Sequence, residues 1–332
     1  MLELLIMNKY KSISICVLSF FLSLSSAYAK ESTNYTQDLN QLKPFKSSTN
    51  FHYISNTNEV SFEKDEIRNS STPKDDPIIG TIRFLDLFEC KDMIYKRGIF
   101  IWLPENYSRE GGPYSVIYFH DAQNLFLPSK SFSGYDWKVD EIITKLRENK
   151  EIKPCIVVGI PNSPARDSEL NLTTRDGKAY CNFVINEVMP FIKKRFPVSK
   201  NRADHIIAGS SMGGLMSFQM AFEHPDVFGG AICMSSAFHT KLSDIMNKVK
   251  NSEHVPLNVK FYIDTGEFEL VEEEHMDESI VTLYEQMVEL LKQKGYREDI
   301  NLKAYFHKGA KHHEKYWAER LDIPLKFLLK KN

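Results

Sequence analysis

Cysteine is scarce in this chain: 5 of 332 residues, with no C-x-x-C pair among them. That excludes a zinc ribbon and a thioredoxin-type redox site. Neither sign of charge dominates. Lys and Arg number 42, Asp and Glu 44, for a formal net charge of −2. No basic run rises above local scatter, so no nucleic-acid partner is expected. There is no H-E-x-x-H. The acidic run EFELVEEEHMDE (267–278) carries a single histidine, His275, and reads as a solvated face. No metal and no cofactor is expected. The chain also lacks an internal repeat and any second-domain boundary beyond residue 78.

Long apolar runs are missing too. The one near the N-terminus, Ile13 to about Leu24, is too short to persist as a membrane anchor. It follows Lys9 and Lys11 and precedes Ala27-Tyr28-Ala29, small residues at the positions a signal peptidase reads. Residues 1–29 are therefore expected to be a secretory signal cut near Ala29, with no stable membrane insertion afterwards and a secreted or periplasmic product. Met7 is an alternative start. Cys16 lies within the signal without a lipobox before it. In an exported chain the remaining Cys90, Cys155, Cys181 and Cys233 could form up to two bridges. Cys155 and Cys233, in apolar strand-like runs, suit buried free thiols at least as well.

Residues 30–77 are rich in Ser, Thr, Asn and Lys and read as a polar, partly disordered leader, tied down only around Phe51 and Tyr53. From residue 78 the pattern changes. TIRFLDLF (81–88) and KRGIFIWLP (96–104) suggest an antiparallel pair. YSVIYFH (114–120) is a short apolar run of the kind a fully buried strand shows. Strands and helices then alternate. Strands are expected at 153–160, 204–209, 229–236, 259–266 and 302–309. Helices are expected at 136–149, 179–196, after 212, at about 277–295 and at 312–331. This is an α/β fold with a mostly parallel central sheet of about eight strands and helices on both faces, spanning 78–332. The polar stretch 237–257 has room for a helix that roofs a site.

In that frame DHIIAGSSMGG (204–214) stands out, with Gly209, Ser211 and Gly213 spaced as G-x-S-x-G between a strand and a helix. Glycines on both sides let the backbone turn tightly, so that the serine hydroxyl projects above the sheet. The helix start behind it supplies the amide of Met212. A neutral hydroxyl attacks poorly without a base and a group that orients the base. In an α/β-hydrolase arrangement these follow the serine as acid, then histidine, each just past a strand. Glu267 and Glu269 follow the strand ending at Gly266. His312 and His313 follow the strand ending near Gly309.

HDAQNLF (120–126), WKVD (137–140), GSSMGG (209–214), DTGEFE (264–269) and GAKHHEKYW (309–317) together resemble the secreted and periplasmic serine esterases grouped with esterase D, feruloyl esterases and siderophore trilactone hydrolases. The resemblance spans about residues 80–330. It implies an α/β-hydrolase fold with Ser211 as nucleophile. It implies Glu269 as acid, with Glu267 next and Asp264 third. The G-A-x-H match implies His312 as base, with His313 the alternate. It places the second oxyanion amide after the third strand, where the family usually has H-D-G-Q-N. Here Ala122 stands for the glycine, and Ala122 or Gln123 would donate. It places Trp137, and with it Gln123, at the substrate pocket. It makes Asn162, Arg166 and Glu169 loop scaffolding. His120 would shape the oxyanion loop.

The expectation is an exported serine esterase that acts on small-molecule or polysaccharide-linked carboxylic esters, siderophore esters included. Acyl transfer by the same residues and a silent ligand-binding protein on the same scaffold are the alternatives. Neither disulfide pairing nor oligomeric state is written in these patterns.

Overall fold

The computed structural model describes residues 59–62, 77–88, 92–93, 95–239, 243–269 and 279–331. The expected signal segment 1–29, most of the expected leader, Cys90 and the acidic run beyond Glu269 lie outside these residues.

Short apolar runs with few polar interruptions become strands buried on both faces, as expected of a parallel sheet covered by helices. The strands are β1 (Glu59–Phe62), β2 (Thr81–Phe88), β3 (Arg97–Leu103), β4 (Ser115–His120), β5 (Cys155–Ile160), β6 (His205–Ser210), β7 (Gly230–Met234), β8 (Lys260–Phe268) and β9 (Leu302–Lys311). They form one sheet in the order β1-β2-β3-β5-β4-β6-β7-β8-β9. β1 to β3 and the β3·β5 pair are antiparallel, and all other pairs are parallel. The eight expected strands are present. The ninth, β1, lies in the segment read as leader and adds an antiparallel edge to β2.

Alternate residues face opposite layers. Val116 and Tyr118 of β4 pack with one helical layer, Ile117 and Phe119 with the other. The first layer holds α3 (Arg175–Phe183), which runs through one wide turn into α4 (Met189–Arg195), together with α5 (Met212–Glu223), α6 (Ile245–Asn251) and α7 (Ile280–Gln293). The second holds α1 (Val139–Glu148), α8 (Glu314–Arg320) and α9 (Asp322–Leu329). The short α2 (Arg166–Glu169) stands where a loop is expected; four residues with no apolar period leave no helical signal. The single helix expected over 312–331 breaks in two at Leu321. α6 falls inside 237–257, as the composition allowed. Cys155, Cys181 and Cys233 are free and buried. Among the described residues no helix is long and apolar enough to cross a membrane.

The strand order places the site. From β4 the chain crosses to β5 on one side, then to β6 on the other. At such a switch point the loops leaving the two strands diverge and open a crevice at their carboxyl ends. Parallel pairing of β6, β7, β8 and β9 brings three further loops to the same edge.

Asp140, in the first turn of α1, ties the sheet's antiparallel end to this scaffold by accepting the Ile79 N–H at 2.7 Å. Burial first, then the charge and hydrogen bond of Glu141, raise its pKa to about 8. The folded state therefore holds this proton more tightly than the unfolded chain, and raising the pH favours unfolding. Asp140→Asn keeps the acceptor and removes the titration. Its melting temperature relative to wild type should climb steadily between about pH 4 and pH 8. A difference that stays flat across that range refutes the assignment.

Candidate active site

Strand β6 runs straight into α5 through Ser211, which adopts φ 55 and ψ −121. A non-glycine residue rarely holds a positive φ, and such strain gathers where the fold over-determines a position. Here the constraints are visible. The Ser211 N–H donates to the Met234 carbonyl at 3.0 Å, and its carbonyl accepts from Ala237 N–H at 3.1 Å. A side chain at Gly209 would lie 2.7 Å from the Gly213 carbonyl carbon. The glycine before the serine is thus required by the closeness of strand and helix.

The β4·β6 pairing sets residues 120–124 beside this turn. A Cβ at Gly213 would lie 3.3 Å from His120 Cβ and 3.4 Å from Asp121 Oδ2. Asp121 adopts left-handed φ 54 and precedes a single 3-10 turn, Ala122–Asn124. Two helix starts therefore meet here, at Met212 and at Ala122, each with an amide that its helix cannot satisfy. Arg166 clamps the loop from outside: its Nε and Nη2 donate to the two Asp121 oxygens, both at 2.8 Å. Burial raises the Asp121 pKa, but the charge and hydrogen bonds of Arg166 outweigh it and hold the carboxyl below its ordinary value. His120 is buried, with Nδ1 2.7 Å from the Tyr180 hydroxyl. Burial lowers its pKa to about 4, against the pull of Asp121, so a neutral ring packs the loop. Arg97 and Glu169, both buried, pair at 2.5 Å next to Tyr180. Gln123 Oε1 accepts from Asn162 N–H at 3.3 Å.

Beyond β8 and β9 stand the expected acid and base. Glu269 Oε2 and His312 Nδ1 lie 2.5 Å apart, the Glu269 side chain fully buried and that of His312 partly exposed. Glu269 Oε1 accepts from the Gly266 N–H and the Ser235 hydroxyl, both at 2.6 Å. Burial raises the Glu269 pKa; His312 first, then Ser235 and Gly266, outweigh it and hold the carboxyl below its ordinary value. The other candidates are engaged elsewhere. Glu267 accepts the Gly309 N–H at 2.8 Å. Asp264 faces Arg320 through two bonds of 2.8 and 2.9 Å. His313 caps α8, its Nδ1 accepting from Lys315 N–H at 3.1 Å. With Nδ1 of His312 on Glu269, Nε2 is the nitrogen left for a proton from outside. Among the described residues no hydrogen bond joins it to Ser211; such contacts often tighten only with substrate bound.

A serine raised on a strained strand-to-helix turn, amides at two helix starts and a carboxylate-held histidine share one sheet edge. Comparison with known proteins bears on the family and the fold. Residues 91–328 match the model of a family described as "Putative esterase". The chain belongs to this esterase family. It is a carboxylic ester hydrolase. A Bacillus subtilis (strain 168) protein, YbbA, is 23% identical over 243 residues, covering 70% of this chain and 92% of that one. A solved ferulic acid esterase superposes with a TM-score of 0.59 at 18% identity, covering 76% of this chain and 98% of its own. The enterobactin esterase FES from Shigella flexneri gives 0.56 at 18% identity, covering 76% of this chain and 60% of its own. At such identities the two structures share the fold with this chain.

One expectation for the esterase changes. Trp137 does not stand on an open pocket wall. Its ring is 3% exposed and packs against Phe119 and Trp317, because β4 presents Phe119 to the α8 layer. Trp317 in turn puts an edge-on ring 5.1 Å from that of His312. Sequence reading also missed Ser235, Trp317 and Arg320 beneath Glu269. Their one faint signal is Asp264, a carboxylate in an apolar strand that demands a buried cation.

The alanine at 122 has a visible counterpart. A Cβ on Gly159 of β5 would lie 2.7 Å from the Ala122 methyl and 3.3 Å from Leu125 Cδ1. Gly159→Ala should push the oxyanion loop and cost about 1–3 kcal/mol of stability with a loss of kcat. Adding Ala122→Gly should restore most of both. Non-rescue in melting and turnover assays of the double variant contradicts this packing argument.

Proposed function

We propose that this esterase is exported and cleaves its substrates through a covalent acyl-enzyme carried by Ser211, with His312 as base and Glu269 as acid. The observation that carries this reading is the Glu269–His312 bond of 2.5 Å at the sheet edge that also holds Ser211. Ser211 Oγ attacks the ester carbonyl while His312 Nε2 takes its proton. The buried carboxylate keeps Nδ1 protonated and balances the imidazolium. The amides of Met212 and Ala122 receive the oxyanion. His312 returns the proton to the departing alcohol. Water then enters, gives its proton to His312 and attacks the acyl carbon; the bond to Ser211 Oγ breaks, His312 returns the proton to that oxygen, and the acid leaves.

The signal at 1–29 supports action outside the cytoplasm, on acyl groups linked to polysaccharide or on siderophore esters. Phe132 and Tyr135, 74% and 51% accessible, supply flat apolar faces for an aryl or extended substrate, Tyr135 with its ring against that of His313.

Turnover of p-nitrophenyl butyrate and capture of a fluorophosphonate label test the triad. Ser211→Ala should abolish the label and cut kcat by about 10⁴-fold or more. Glu269→Gln should cut it by about 10²- to 10⁴-fold, and Glu267→Gln by less than about twofold. A wild-type enzyme that neither turns over esters nor takes the label sinks the proposal. Product analysis with added alcohols separates hydrolysis from acyl transfer.

A further inference from the structure

The strongest unassigned feature is the buried polar cluster beneath Glu269. Ser235 follows β7, has no exposed surface and holds φ 42. Its Oγ has three close polar neighbours. Trp317 Nε1 lies at 2.9 Å, Arg320 Nη2 at 2.8 Å and Glu269 Oε1 at 2.6 Å. An indole N–H and a guanidinium N–H can only donate, and a hydroxyl has one proton and two lone pairs. Trp317 and Arg320 occupy the lone pairs. The carboxylate is the one acceptor within reach, so the hydroxyl proton has a single place to go.

We propose that Ser235 is a positioning residue of the active site: its hydroxyl, oriented from behind by Trp317 and Arg320, pins Glu269 Oε1 so that Oε2 meets His312. The proposal rests on Glu269 being the acid. Gly266 N–H is the second donor to Oε1. Two fixed donors on one oxygen stop the carboxylate from rotating. The donors are themselves anchored. Arg320 is held by both oxygens of Asp264, and the Ser235 N–H donates to Asp264 Oδ1 at 2.9 Å. The charged groups around Glu269 are His312 in front and Arg320 behind, 3.9 Å from Oε1. Asp264 is neutralised by Arg320, and Glu267 is turned to Gly309. Removing the Ser235 hydroxyl leaves Oε1 short of one donor. The carboxylate becomes more basic, and the Glu269–His312 pair accepts a proton at higher pH. Loss of the hydroxyl frees one Nη2 hydrogen of Arg320, but the two bonds to Asp264 hold that nitrogen 3.9 Å from Oε1, too far to take the place of the hydroxyl.

Ser235→Ala and Ser235→Gly together separate this role from a backbone role. Glycine adopts φ 42 without strain, whereas alanine bears it; both lose the donor. In each variant the acid limb of kcat/KM against pH, measured on p-nitrophenyl butyrate, should move up by about 0.5 unit or more. At the optimum kcat should fall about tenfold with KM little changed, and fluorophosphonate labelling of Ser211 should persist. Acid limbs within about 0.2 unit of wild type in both variants overturn the proposal. So does an effect seen in alanine but absent in glycine, which marks backbone strain instead. Glu269→Gln measured alongside separates the two readings. If it is slow while both Ser235 variants behave as wild type, only the role of Ser235 falls. If it keeps full rate, the acid assignment falls and this proposal with it.

Discussion

The Asp264–Arg320 ion pair holds the catalytic edge of this molecule in register. Both side chains are buried, Asp264 on β8 and Arg320 at the end of α8. Two charges taken out of water cost several kcal/mol each, and mutual attraction with full hydrogen bonding is what makes them tolerable. A pair of this kind adds little net stability, but it penalises any arrangement that separates its members. The chain passes from β9 to α8 through the two-residue turn of His312 and His313. Fixing Arg320 on β8 therefore fixes where that turn emerges relative to Glu269. The remaining guanidinium donor then reaches Ser235, so one buried cation organises both the helix and the hydrogen bonds under the acid.

Other loops of the edge are held by the same device. Arg166 grips Asp121 on the oxyanion loop, and Arg97 grips Glu169 on α2 behind it. Each pair joins a loop to a distant part of the chain. Each carboxylate is buried, so a loop that strays leaves an uncompensated charge. Asn124 adds a neutral version. Its Nδ2 donates to the buried Glu314 at the start of α8, and its Oδ1 accepts from Phe132 N–H at 3.0 Å. The loop with the amide of Ala122 is thereby coupled to the helix that follows His312.

Much of this architecture was legible in the sequence, for physical reasons that differ by element. β4 to β8 are buried on both faces, so SVIYFH and CIVVGI read as continuous apolar runs that periodicity need not resolve. The elbow at Ser211 was legible because only glycine permits the contact between residues 209 and 213. β1 was not, since four residues of a polar edge strand resemble leader composition. The choice between Glu267 and Glu269 could not be read from alternation either. The β8·β9 ladder shifts register between Gly266 and Phe268, so side-chain parity breaks where the acid must be chosen. The resemblance to esterases indicated Glu269; the bulge and the Gly266 amide explain why that side chain turns inward. Trp137 misled because an aromatic near a motif is equally at home in a core. Ser235, Trp317 and Arg320 come from separate elements, each unremarkable in its own segment, and only the fold brings them together.

The division between fixed and free surface bears on how specificity is built. Glu269, Asp121 and the groups that hold Glu269 from behind are buried and bonded, whereas Phe132 and Tyr135 project into solvent from the loop between Leu125 and Trp137. That loop is not independent of the chemistry. Its far end is anchored where Trp137 N–H donates to the Asn124 carbonyl at 2.9 Å, and Tyr135 puts its ring 5.1 Å from that of His313. A ligand that stacks on these rings therefore presses on residues one step from both the oxyanion loop and the base. Ordering the loop around the correct substrate would also order the groups that stabilise its transition state. Under the proposed mechanism, binding energy remote from the scissile bond would then fall where it can raise kcat as well as affinity.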